Sequence, residues 1–243
     1  VPKFRLSDEA VEKDIQMISD LGLRIRYGQK INADLFDNLR ERSDFIYIAA
    51  GAQDAYKLNI EGSDHENVLD PLDFLYKVKA KSKTGFGKNF IVIGGGNTAM
   101  DTVRSAHRLT GENGKAILVY RRTLRQMPAE YKEIKDVLDE GIQVVELVSP
   151  LAVVTENNKI TALKCIKMKL GEKDESGRAK PVEIKGSEFD IECDTIIPAI
   201  GQTLSIDFVD LKKLTVEGES YETKLENVFI GGDALRGAST LIN

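Results

Sequence analysis

The residues best suited to chemistry form one short run, Gly94-Gly95-Gly96-Asn97-Thr98-Ala99. It follows the apolar stretch Phe90-Ile91-Val92-Ile93 and leads into helically spaced residues, so it is a G-x-G-x-x-A turn between a strand and a helix. Each position has a physical task. Gly94 permits the tight turn, and Gly96 lets the backbone approach a pyrophosphate without a Cβ in the way. Ala99 allows close helix–strand packing, and the helix N-terminus supplies N–H donors and the positive end of a dipole. Gly94, Gly95, Gly96, Asn97 and Thr98 are therefore the expected seat of a dinucleotide.

The next strand bears on which dinucleotide. An acidic residue about 20 positions on ordinarily accepts the ribose hydroxyls and selects NAD. Here the strand ends in Tyr120-Arg121-Arg122, with Arg125 close behind and no acid at its tip. Two guanidiniums match a ribose 2′-phosphate. One charge-assisted hydrogen bond contributes roughly 1.5–3 kcal/mol, so losing it predicts at least about tenfold weaker NADH binding.

The other chemically able side chains point to less. Asp101 sits early in the same helix, as a partner of the helix dipole or as a ligand contact. His107 lies further along, at a packing or surface position, and Cys165 and Cys193 fall in strand-like runs as buried thiols. Two histidines and two separated cysteines make no metal cluster, no CxxC pair and no nucleophile with base and orienting acid. Hydride transfer needs none of these, because the cofactors carry the chemistry.

The elements that must hold these residues follow from periodicity. Ser7 caps a helix with Val11, Ile15, Ile18 and Leu21 on one face and Gly22 as its stop. A strand at 23–27, a helix at 34–41 and a buried strand over Phe45-Ile46-Tyr47-Ile48-Ala49 come next. A connection at 64–73 leads to a helix at 73–80, and Lys77, Lys79, Lys81, Lys83 and Lys88 make a solvated basic face. Strands at 90–93, 116–120 and 142–147 alternate with helices at 97–109 and 129–140, which predicts one parallel sheet with right-handed crossovers. Beyond Pro150 the pattern changes to a hairpin, 151–155 and 160–170 about the turn Glu156-Asn157-Asn158. A polar turn at 172–180 and strands near 181–184 and 189–191 extend it into a meander. Two strands then share an Ala-x-Gly ending, Phe45 to Gly51 and Thr195 to Gly201, and a third, Asn227 to Ile230, ends in Gly231-Gly232-Asp233.

Composition bounds the rest. In 243 residues, 34 basic against 39 acidic side chains leave a net charge of −5, the wrong sign for a general nucleic-acid binder. Apolar residues at 42% and charged residues at 30% suit a packed globular chain. No apolar run approaches the ~18–20 residues of a membrane span. The start at Val1 and the apolar run Thr240-Leu241-Ile242-Asn243 suggest cuts inside a longer protein.

Taken in order, these residues resemble the flavoprotein reductases of the glutamate synthase small subunit family, with which the NADPH/FAD half of dihydropyrimidine dehydrogenase belongs. The resemblance runs through Val1-Pro2-Lys3-Phe4-Arg5-Leu6, Ile48-Ala49-Ala50-Gly51-Ala52, Gly94 to Asp101, Tyr120-Arg121-Arg122 and Met127-Pro128-Ala129. It continues through Asp174-Glu175-Ser176-Gly177-Arg178, Ala199-Ile200-Gly201-Gln202 and Val228 to Ala234. Within that family the selenate-reductase-type subunits look most similar.

The resemblance implies an α/β fold in which a Rossmann-like NADP domain, 70–205, is inserted into an incomplete FAD domain, 1–69 and 206–243. It implies that NADPH reduces FAD and that electrons pass to iron–sulfur centres and a redox partner domain or subunit, in the cytoplasm. Gly201 would lie near the nicotinamide, Gly232 and Asp233 along the FAD ribityl and phosphate region, and Gly51 beside the flavin nucleotide. The family's first FAD strand with its G-x-G-x-x-G loop, and its cysteine clusters, would precede Val1. The expectation is thus that these residues bind FAD weakly or not at all and carry no iron–sulfur cluster. Two other readings stand beside this one: a non-catalytic nucleotide-sensing or docking module, and a simple NADP dehydrogenase, for which neither histidine is well placed.

Overall fold

The computed structural model describes residues 1–82, 85–173, 177–216 and 220–238. The chain opens with α1 (Asp8–Ser19), α2 (Ala33–Arg42), β1 (Ile46–Ile48), β2 (Asp54–Ala55) and α3 (Pro71–Lys79). Next come β3 (Asn89–Ile93), α4 (Asn97–Leu109), β4 (Lys115–Tyr120), α5 (Tyr131–Asp139) and β5 (Gln143–Glu146). Then follow β6 (Val148–Glu156), β7 (Lys159–Lys173), β8 (Ala179–Glu192), β9 (Thr195–Pro198), β10 (Gln202–Thr203), β11 (Val228–Ile230) and α6 (Asp233–Arg236). They form two compact units. One comprises Val1–Arg5 and Ala55–Gly201, the other Leu6–Asp54 and Gln202–Asn243.

The first unit, called inner here, is built on a parallel sheet in the order β5-β4-β3-β9. Its strands are short apolar runs because both faces are covered. Alternation sends Phe90, Val92, Leu118, Tyr120 and Ile197 to a core shared with Phe74, Met100, Val103 and Val137 of the helices. The intervening Ile91, Ile93, Ile117, Val119 and Ile196 join a second core with Val148, Val153, Leu163 and Cys165 of an antiparallel meander. The result is three layers: helices, parallel sheet, meander. In the meander β7 lies between β6 and β8. The hairpin turn forms at Asn157 and Asn158, both at positive φ (50° and 58°), a conformation asparagine tolerates well.

The boundary expected near 70 and the boundary between units at 54/55 differ by the segment 55–69. That segment laces onto the inner unit. Leu69 N–H donates to Ile196 O at 2.8 Å, Ile196 N–H donates to Asn67 O at 3.0 Å, and Glu61 bridges Ala152.

The other unit holds a two-stranded parallel sheet, β1 with β11, in register Ile46–Val228 through Ile48–Ile230. Phe36, Ile48, Leu214, Val228 and Ile230 form its core, with the Phe36 and Phe208 rings 5.0 Å apart. Helix α1 is capped by Ser7, as its sequence predicts, yet buries none of its residues.

Several local expectations change. The segment 23–27 forms no strand, and Leu23, Ile25 and Tyr27 are exposed; among the described residues it has no ladder partner, and apolarity alone does not make a strand. The two short strands expected at 181–184 and 189–191 are one continuous β8. Helix α5 begins at Tyr131 rather than Ala129, because Glu130, its N-cap, has a non-helical ψ of 136°; the Ala129 and Glu130 N–H groups, which a helix start leaves free, donate to Gly95 O and Asn97 Oδ1. Lys83, Asp174-Glu175-Ser176 of the expected polar turn, and the terminal run Thr240-Leu241-Ile242-Asn243 lie outside the described residues.

Candidate functional site

The glycine run closes the carboxyl end of β3, in the middle of the parallel sheet, where open α/β sheets bind their ligands. Gly94 donates its N–H to Val119 O of neighbouring β4 at 3.0 Å. It adopts φ +149°, and a Cβ built on it would stand 2.2 Å from Ala199 O. Only glycine lets β3 and the end of β9 meet this closely. At Gly96 the opposite holds: a Cβ would meet nothing within 4 Å. Gly96 is the N-cap of α4, without a side-chain cap, and no acid occupies the first turn. The positive end of α4 therefore has no capping side chain or first-turn acid among the described residues, an arrangement that can receive a phosphate.

Two bonds brace this loop from the residues ahead of α5. Ala129 N–H donates to Gly95 O at 3.0 Å, and Glu130 N–H donates to Asn97 Oδ1 at 2.8 Å. The Asn97 side chain thus serves as a brace, and Thr98 accepts the Thr102 hydroxyl at its carbonyl (2.7 Å). Gly95 packs on the ring of Tyr120, whose hydroxyl donates to Gln126 O at 3.0 Å.

The two arginines at the tip of β4 part company. Arg121 is exposed, as is Arg125. Arg122 is 4% exposed and donates its Nε–H to Ala179 O at the start of β8 (2.8 Å). The structure therefore does not bring both guanidiniums to one surface. Gly201 lies just beyond β9, at the same end of the sheet as Gly94. Its carbonyl accepts the Tyr56 N–H at 3.0 Å, and its φ is +131°.

In the other unit, Gly51 (φ +69°) follows β1, and Gly232 (φ +62°) caps the four-residue α6, which begins with Asp233. A Cβ on Gly232 would meet nothing within 4 Å. A Cβ on Gly51 would stand 3.1 Å from Gln53 Nε2.

Asp101 has a role that neither sequence alternative supplied. It lies past the first turn of α4, with its side chain 8% exposed, and Arg5 holds it with Nη1 at 2.9 Å from both carboxylate oxygens. Burial pushes its carboxyl above the usual range, and the Arg5 hydrogen bond and charge only partly offset this. Arg5 Nε also reaches Glu133 of α5 at 3.0 Å. Deeper along the same helix pair, Arg104 contacts Glu133 (3.1 Å), Asp136 (3.2 Å) and Glu140 (2.8 Å), and Arg108 reaches Glu140 at 2.7 Å. Phe4 lies under both guanidiniums, 4.5 Å from Arg104 and 4.0 Å from Arg108. Sequence reading missed this network, although the adjacent Phe4-Arg5 in a short apolar-basic segment was its one visible signal.

The remaining candidates lie elsewhere in the inner unit. His107 accepts the Thr110 hydroxyl at its carbonyl (2.9 Å). Cys165 and Cys193 are buried, and burial raises both thiols to about 12. Among the described residues no group of three or more His, Cys, Asp or Glu could hold a metal ion, and no helix is long and apolar enough to cross a membrane.

Comparison with known proteins places this geometry. The NADPH-Fe(3+) oxidoreductase subunit beta of Geobacter sulfurreducens is 35% identical over 276 residues, an alignment covering all of this chain and 41% of that protein. The glutamate synthase (NADPH) small chain of Azospirillum brasilense is 29% identical over 265 residues, covering all of this chain and 54% of that one. The chain thus spans about half or less of the length of these relatives. Mycobacterium tuberculosis FprA, solved in complex with NADPH, superposes with a TM-score of 0.71 at 18% identity over 85% of this chain and 61% of FprA, a likeness of fold. The profile of one family matches residues 9–243, nearly the whole chain. With its Rossmann-like sheet and glycine loop, the chain belongs to the pyridine nucleotide-disulphide oxidoreductase family.

Proposed function

We propose that this chain is the NADPH-binding part of a flavoprotein oxidoreductase in which a hydride passes from NADPH to FAD and electrons move on to a redox partner domain or subunit. The observation that carries the reading is the open N-cap of α4 at Gly96, beside a loop that Gly94 closes against Ala199. The bound cofactors supply the hydride chemistry, as donor nicotinamide and acceptor flavin.

The chain's own residues bind and orient. Gly94 to Thr98 offer backbone N–H groups and the helix dipole to the pyrophosphate. Arg121, exposed just beyond β4, takes the ribose 2′-phosphate, with Arg125, also exposed, four residues on. Arg122 acts from below, fixing the tip of β4 to β8 through Ala179. Gly201 leaves space at the nicotinamide end of the sheet. Gly51, Gly232 and Asp233 are assigned to FAD, and iron–sulfur centres belong to the rest of the protein. A cytoplasmic location is part of the same proposal.

Paired titration with NADPH and NADH at one salt concentration tests it. The expected result is NADPH binding at least about tenfold tighter than NADH, with Arg121→Ala erasing most of the difference. Equal affinities would remove the 2′-phosphate role from Arg121. No binding of either nucleotide would overturn the assignment of the glycine loop.

A further inference from the structure

We propose that Arg5 is a positioning residue for the dinucleotide site, holding the first turns of α4 and α5 together behind the pyrophosphate loop. The proposal rests on the reading that Gly94 to Thr98 receive the pyrophosphate.

The argument is geometric. Besides the Arg104 and Arg108 pairs deeper along the helices, three cross-links join the α4 side to the α5 side nearest the loop, in step along both. Gly95 O receives Ala129 N–H, Asn97 Oδ1 receives Glu130 N–H, and Arg5 joins Asp101 to Glu133. The first two form the loop's own bracing. The third lies about one helical turn behind it and is the only one whose bridging group comes from a remote part of the chain, 96 positions from Asp101.

Chemistry makes that third link necessary. Asp101 and Glu133 are both carboxylates with side chains 8% and 9% exposed, and each sits within reach of the same guanidinium. The charge of Glu133 works against ionisation of Asp101. Without Arg5, Asp101 would lose its guanidinium partner in a buried place and Glu133 would keep Arg104, so the tie between α4 and α5 nearest the loop would be gone. Arg104 does not replace Arg5, because it serves Glu133, Asp136 and Glu140 further from the loop and makes no bond to Asp101 among the described contacts. Arginine suits the position because it meets both Asp101 oxygens through Nη1 while Nε serves Glu133. Phe4, held under Arg104 and Arg108, keeps the neighbouring backbone seated.

A dinucleotide bound through backbone N–H groups depends on where those groups point, so loosening the bracket weakens the pyrophosphate contacts that NADPH and NADH share. This separates Arg5 from Arg121, whose loss affects NADPH alone. The test titrates NADPH and NADH into the full chain as wild type, Arg5→Gln, Arg5→Lys, Asp101→Asn and the Arg5→Gln/Asp101→Asn pair, with thermal unfolding confirming that each is folded at the assay temperature.

Arg5→Gln is expected to weaken both nucleotides by a similar factor, roughly five- to tenfold, and Arg5→Lys to recover part of the loss. The double variant should bind no more weakly than Arg5→Gln, because it also removes the uncompensated carboxylate. A folded Arg5→Gln chain with unchanged affinities, whatever its melting temperature, overturns the proposal, as does a loss confined to NADPH. Should Arg5→Gln fail to fold, Asp101→Asn decides by the same criteria. A wild-type chain that binds neither nucleotide overturns the loop assignment itself, and this proposal with it.

Discussion

The two units bury their apolar residues in different ways. In the inner unit both faces of a four-stranded sheet are covered, and Phe74, Phe90, Leu118, Ile196 and Ile197 are fully buried. In the other, a two-stranded sheet supports a smaller core, α1 buries nothing, and Leu21, Leu23, Phe45 and Tyr47 are more than half exposed. The inner unit therefore positions its candidate site by packing: Gly94 is wedged against Ala199, Gly95 against Tyr120, and the helices behind them are bracketed by ions. The other unit offers its candidate glycines chiefly through backbone conformation. Precision of a site and depth of the core that carries it go together here.

The largest test of that contrast is a large-to-small substitution on each side. Phe74→Ala, which removes a ring 5.0 Å from Phe86 and 6.1 Å from Phe90, is expected to cost about 3–5 kcal/mol in denaturant unfolding. Leu21→Ala, at 79% exposure, should stay within about 0.5 kcal/mol. Comparable costs would break the contrast.

A second test compares glycines. Gly94→Ala forces a Cβ toward Ala199 O, so nucleotide affinity should fall by at least about tenfold, with stability lower by roughly 1–3 kcal/mol. Gly232→Ala meets no neighbour and carries only the strain of its positive φ, with NADPH affinity unchanged. Calorimetry on both variants reads the difference directly.

The smallest expected effect sharpens the role of the ion network. Burial alone would raise Glu140, but Arg108 and Arg104 outweigh it and hold its carboxyl down from 4.5 to about 2. A lowered acid stabilises above its unfolded pKa and loses that contribution as pH falls through the folded one. Glu140→Gln should therefore cost roughly 1–2 kcal/mol at neutral pH, and the gap to wild type should close between pH 4.5 and 2. A gap constant across that window would mean that packing, not charge, is what Glu140 supplies.

Much of the inner fold was legible because its signals are local. The run Phe90-Ile91-Val92-Ile93 into three glycines marks strand, turn and helix start within a dozen residues, and the helix expected at 97–109 is α4 over those same residues. What escaped is what depends on distant partners. Arg121 and Arg122 are alike in sequence, yet Arg122 is buried and bonded to Ala179, a residue 57 positions away, while Arg121 is exposed. Asp101 resembles a dipole partner until Arg5 arrives from 96 positions away. The segment 23–27 has strand composition but no neighbour among the described residues, and a ladder takes two sides.

The buried thiols have a practical side. Burial keeps both thiols protonated at neutral pH and out of reach of reagents. The native chain is thus close to a blank background for thiol chemistry. A single cysteine introduced at an exposed position such as Tyr131, at the start of α5, would take up a dye almost alone. Its emission would report on the helix beside the glycine loop without disturbing the loop itself.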